Sequence, residues 1–128
     1  MRFYLTKTVR GGFDEVLEKV TGALKAEGFG VLTDIDVRET LKKKLGAEWR
    51  AYRILGACNP PLAHAALKAE DKIGTMLPCN VVVQDMGAGA IEVSTIDPAV
   101  AMAKVGNADL AGLAGEVRAK LEAVLGRL

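Results

Sequence analysis

The stretch CNVVVQDMGAGAIEVSTIDP, residues 79–98, restricts the fold more than any other part of the chain. Two apolar-rich, alternating runs flank Gly87, Ala88 and Gly89, and so short a glycine-containing connection reads as a β-hairpin. A hairpin makes its strands antiparallel, which argues against a wholly parallel, doubly wound sheet. Asp97-Pro98 then opens a helix: aspartate caps it, and proline takes the first helical position, where its missing N–H is not needed.

The chain before the hairpin supplies three more strands. RFYLTKTV alternates, with Phe3, Leu5 and Val9 on one side and Tyr4, Thr6 and Thr8 on the other, as in a half-buried strand. After Gly11 and Gly12, Phe13, Val16, Leu17, Val20 and Leu24 recur at helical spacing, and Gly28 suits the helix end. FGVLTDI predicts a second strand. Asp36 and Glu39 form a D-x-x-E start for a short helix, with Val37, Leu41 and Leu45 on one stripe and Gly46 as its stop. Lys42, Lys43 and Lys44 fan out around its axis, so they read as a solvated face rather than an anion site. EWRAYRILGAC predicts the third strand.

The last helix starts at Asn107 or Asp109. Its apolar stripe runs unbroken through Leu110, Leu113, Ala114, Val117, Leu121, Val124, Leu125 and Leu128, and a five-stranded sheet needs such a cover. With 128 residues and no linker, repeat or low-complexity tract, the chain reads as a single domain over residues 1–128. The expected architecture is α+β, a two-layer sandwich with helices mainly on one face.

Composition narrows the function classes. A formal net charge of +1 gives no electrostatic reason to favour nucleic acid or an anionic membrane, and 5% aromatic residues argue against a stacking platform for single strands. MRFYLTKTV lacks the apolar region of a signal peptide, and no apolar run is long enough to span a bilayer. Two cysteines do not make a secreted disulfide framework. A cytoplasmic setting with free thiols is therefore expected.

The residues with chemistry crowd into GACNPPLAHAALKAEDKIGTMLPCNVVV, which holds Cys58, Cys79, the only histidine, His64, and three of the four prolines. The spacing C-x5-H-x14-C matches no familiar zinc pattern and offers no fourth ligand, so no metal is expected. With Asn59 as cap of the intervening helix, Leu62, Ala65, Ala66, Ala69 and Ile73 form its apolar side. His64, Lys68 and Asp71 share another face, which makes His64 a surface residue. Pro60 and Pro61 remove two of the N–H groups an anion would need. Ser94, the single serine, sits in a strand without a G-x-S-x-G elbow, so no catalytic constellation emerges. Whether Cys58 and Cys79 meet depends on strand direction: antiparallel neighbours bring them close, whereas parallel ones hold them roughly 20 Å apart.

ILGACNPPLAHAAL, IGTMLPCNVVV and STIDPAVAM, in that order after GFGVLTDIDV, resemble the domain of unknown function 302 family over nearly the whole chain. The most specific pieces are Asn59-Pro60, Leu77-Pro78 and Asp97-Pro98. The resemblance carries no activity. It implies a curved, largely antiparallel sheet with the topology of a TATA-binding-protein half, and it implies a homodimer. That topology does not transfer DNA binding to a nearly neutral chain. Family members differ at the positions of Cys58 and Cys79, so the shared features are the three proline turns.

These readings lead to one expectation and one rival. The first is a cytoplasmic homodimer that binds a small molecule or protein partner without catalysis or cofactor. Its site is the rim where Asn59, His64, Leu77, Pro78 and Asp97 gather if their turns lie at one end of the sheet. The rival is a thiol-based redox or metal-binding protein that uses Cys58 and Cys79, with His64.

Overall fold

A computed structural model describes residues 2–128. Five strands, β1 (Tyr4–Arg10), β2 (Gly30–Asp36), β3 (Tyr52–Cys58), β4 (Cys79–Asp85) and β5 (Ala90–Ile96), form one sheet in the order β1-β5-β4-β3-β2. Every neighbouring pair is antiparallel. The β4–β5 hairpin closes over Gly87, Ala88 and Gly89, all three at positive φ, with Ala90 N–H donating to Gly87 O at 3.0 Å.

The helices are α1 (Phe13–Ala26), α2 (Val37–Leu45), α3 (Pro60–Ala69), α4 (Pro98–Met102) and α5 (Ala108–Gly126). Val16, Val20 and Leu24 of α1 and Leu121 and Val124 of α5 are buried against Leu55, Val81, Val83, Ile91 and Val93 of the sheet. These are the stripes the 3.6-residue and two-residue periods mark, so one face of the sheet and one side of each long helix form the core. Two side chains pin α5: Lys7 Nζ donates to Leu125 O at 3.1 Å, and Arg127 reaches Glu27 at the end of α1 at 2.7 Å.

The caps form at the residues the sequence marks. Asp36 accepts from Glu39 N–H at 2.9 Å, and Asn107 accepts from Asp109 N–H at 3.0 Å and from Leu110 N–H at 3.4 Å. Along β2, Asp34 Oδ1 accepts from Arg53 Nε at 2.8 Å, and this bond holds the Asp34 carboxyl below the 3.8 of a free aspartate.

Three elements differ from their sequence patterns. The third strand begins at Tyr52 rather than Glu48, because β4 ends at Asp85 and β2 at Asp36, leaving residues 48–50 no neighbour to bond. The intervening helix stops at Ala69, and Ile73 belongs to a following 3₁₀ turn over Asp71–Met76, where it is nonetheless buried. The α2 stripe buries nothing, and Leu45 is 74% exposed.

The second face of the sheet carries alternating residues in cross-strand rows. Thr8, Glu92, Gln84 and Tyr52 form one row; Thr6, Ser94, Val82, Ile54 and Ile35 form the next. A third runs through Tyr4, Ile96, Asn80, Gly56 and Thr33. The second row grades from the hydroxyls of Thr6 and Ser94 to apolar residues on β4, β3 and β2.

An apolar cavity at the proline end of the sheet

Antiparallel order places the end of β3, the start of β4 and the end of β5 at one end of the sheet. Asn59, Leu77, Pro78 and Asp97 therefore fall together there. A cavity of about 330 Å³ opens between that end and the helices α3, α4 and α5. Cys58, Asn59, Leu77, Pro78 and Cys79 line it from the sheet side; Leu62, Ala63 and Ala66 of α3, Met102 of α4, and Leu113 and Val117 of α5 complete the wall. Among the described residues its lining contains no carboxylate, imidazole or cationic side chain.

Each turn residue has a local reason for its place. Asn59 Oδ1 accepts from Leu62 N–H at 3.3 Å and so starts α3 with Pro60 and Pro61 in the first turn. Gly28, at φ +85°, leaves room for the Asn59 amide, whose Nδ2 lies 3.1 Å from where a Cβ would stand. Asp97 is buried. Its Oδ1 accepts from Ala99 N–H at 3.1 Å, and its Oδ2 accepts from Arg118 Nε at 3.0 Å. The carboxylate thus turns toward α5, away from the cavity, and only Pro98 of that turn reaches the lining. His64 is exposed on α3 and outside the lining. Of the five rim residues the sequence suggests, three line the cavity, one braces it and one stands apart.

The two thiols are answered by strand direction. Cys79 faces Ala57, so Cys58 lies one step from it on the adjacent strand. The antiparallel order thus brings the two close, and both line the cavity as free thiols. Among the described residues no three His, Cys, Asp or Glu side chains gather as a metal site. Burial, with the nearby Cys58 charge, pushes the Cys79 thiol above its ordinary 9.0. A raised thiol pKa stabilises the fold below about pH 9, and the contribution is lost as pH rises through the folded value. Urea unfolding between pH 7 and pH 10 should therefore show a stability loss that is smaller in Cys79→Ala; equal slopes would contradict the burial argument.

Most of the lining was not legible beforehand. Leu62, Ala66, Leu113 and Val117 follow the same helical period as core residues, and nothing in that period says that a void lies in front of them.

An open antiparallel sheet of five strands with helices packed on it defines a two-layer α+β domain. Residues 5–128 match the model of the domain of unknown function DUF302, and the chain belongs to this family. It is similar to the crystal structure of an uncharacterized conserved DUF302 protein from Bacillus stearothermophilus, at 31% identity and a TM-score of 0.91. That match covers 99% of this chain and 98% of the other. No curated protein matches the chain.

Proposed function

We propose that this domain is a non-catalytic binding protein that holds a small, uncharged, hydrocarbon-rich molecule in the cavity under α3, and that it acts as a homodimer. The observation that carries the reading is the cavity: about 330 Å³ of space whose lining offers apolar surface, one amide and two thiols, and no charge. That size falls in the range of small-molecule sites, about 300–1,000 Å³. A charged ligand would lose its hydration there without a partner. The raised pKa of Cys79 keeps it a neutral thiol near neutrality, which suits an apolar wall better than a nucleophile. Two free cysteines accord with the reducing cytoplasm.

The test is a neutral fluorescent probe such as Nile red. Ala63→Phe puts a ring into the cavity from α3, whose residue 63 is only half-buried, so the fold should survive. Probe emission should rise saturably with the native chain and fall about tenfold or more with the variant, a loss worth about 1.4 kcal/mol. Equal binding by both chains would place the probe elsewhere and end the proposal.

The homodimer rests on a patch at the other end of the sheet. Leu45, Trp49 and Met86 are 74%, 44% and 51% exposed, and Arg50 stacks its guanidinium 4.4 Å from the Trp49 ring. Trp, Met and Arg are the side chains enriched in interface cores, and charges of both signs (Lys44, Glu48, Arg50, Asp85) adjoin them in sequence. Mixed charge suits a two-fold contact in which the patch meets its own copy. Light scattering should give twice the chain mass, falling toward one chain mass on dilution for Trp49→Ser before the native chain. A native chain that is monomeric at all concentrations would dismiss the dimer.

A further inference from the structure

The second face of the sheet holds a separate groove of about 570 Å³, divided from the apolar cavity by the Leu77–Pro78 turn, which lines both. Its character is different. The floor brings together the hydroxyls of Thr6 and Ser94, 2.9 Å apart, the amides of Asn80 and Gln84, and the carboxylate of Glu92. The walls are apolar and aromatic: Tyr4 and Phe3 at one corner, Tyr52 at the opposite corner, and Val82 and Ile96 between.

Charge decides what such a groove would take. Among the described residues, Glu92 is the one formally charged member of the lining. Gln84 Nε2 donates to its Oε1 at 3.1 Å, and Gln84 Oε1 in turn accepts from Arg50 Nη1 at 3.4 Å. The amide thus spans carboxylate and guanidinium, and because Arg50 lies outside the lining, Glu92 is a single charge on a floor otherwise made of hydroxyl and amide groups. What remains is a dense set of groups that both donate and accept. Asn80 is exposed, and its amide hydrogen-bonds to no protein group among the described residues. Glu92 Oε2 is likewise left without a protein donor among them.

We propose that this groove binds an uncharged polyhydroxylated ligand of saccharide type. Such a molecule carries hydroxyls, each a donor and an acceptor, around a ring whose C–H face is apolar. It therefore matches a floor of hydroxyl, amide and carboxylate groups between tyrosine walls. An anion would meet Glu92, and a tetraalkylammonium-type cation would leave the hydroxyls of Thr6 and Ser94 and the amide of Asn80 without a hydrogen-bond partner on the ligand. The inference stands apart from the apolar cavity and does not depend on it.

The experiment is a titration of the full chain, followed by amide NMR spectra, with glucose, maltose and cellobiose, and separately with tetramethylammonium and inorganic phosphate. Saturable, millimolar shifts by a saccharide are expected at Ser94, Gln84 and the Asn80 side chain. Asn80→Ala should weaken binding about tenfold through the lost hydrogen bonds. Glu92→Gln, which turns one free acceptor of the floor into a donor, should also weaken saccharide binding. Ser94→Ala is a second floor variant should Asn80→Ala alter the fold. Absence of saturable shifts with all three sugars would overturn the proposal. So would saturation by tetramethylammonium or phosphate instead, or shifts centred on Ala63 and Leu113 in the other cavity.

Discussion

Replacing Gly56 by alanine should lower stability by about 1–3 kcal/mol, the cost of forcing a methyl group into filled space. Gly56 sits mid-strand in β3, where glycine ordinarily weakens a sheet and alanine would be an improvement. Here a Cβ would stand 2.7 Å from the Pro78 ring and closer still to Thr33 Oγ1. Thr33 is the cross-strand neighbour on β2, beside the register shift between Val31 and Thr33; Pro78 leads into β4 from the other side. The threonine hydroxyl has room to rotate away, whereas the pyrrolidine ring is rigid. Thr33→Ala should therefore recover part of the loss in the double variant, but not all of it. Urea unfolding of the four chains in the cycle measures this directly. An unchanged midpoint for Gly56→Ala would show that the turn yields freely, and would remove the case that the wall between the two cavities is rigid.

Asp97→Ala should cost about 2–3 kcal/mol, the sum of a lost helix cap and a lost charge-assisted hydrogen bond at a buried carboxylate. Both oxygens are engaged: one starts α4 through Ala99 N–H, and the other draws Arg118 of α5 across the end of the sheet. Arg118 also pairs with Glu122 one turn along α5, and the Asp97 bond, with these two charges, pushes its pKa up. Asp97→Asn retains the capping oxygen and loses the charge, so it should fall between native and alanine. A thermal or urea series in which asparagine and alanine behave alike would assign the whole effect to the ion pair. Because α4 and α5 both line the cavity, the alanine chain should also bind Nile red less tightly.

The legible parts of this protein are those governed by neighbours along the chain. Alternation in RFYLTKTV marks which side of β1 meets the core, and Val9 is buried while Thr6 and Thr8 are exposed. Asp36, Asn59, Asp97 and Asn107 cap helices because a short polar side chain reaches N–H groups two or three residues ahead, a purely local event. The glycine-containing connection forces the antiparallel hairpin. From that hairpin and the proline turns, the α+β sandwich and the family follow.

The illegible parts depend on residues far apart in sequence. Residues 48–50 read as strand but have no partner to bond, since β2 and β4 have already ended. Asp97 reads as a helix cap and a rim residue, and only the fold brings Arg118, 21 residues later, to its second oxygen. Cys58 and Cys79 stand 21 residues apart in sequence, and only the antiparallel register of β3 and β4 makes them neighbours at one end of the sheet.

By itself, then, the sequence determined the elements, their caps and the antiparallel hairpin, because dihedral preference and side-chain period act within a few residues. Only the tertiary structure decided that Asn59, Leu77 and Pro78 share a cavity, that His64 does not, and that a second, polar groove lies across the sheet. A void is the space that distant segments leave unfilled when they pack, and no single segment encodes it.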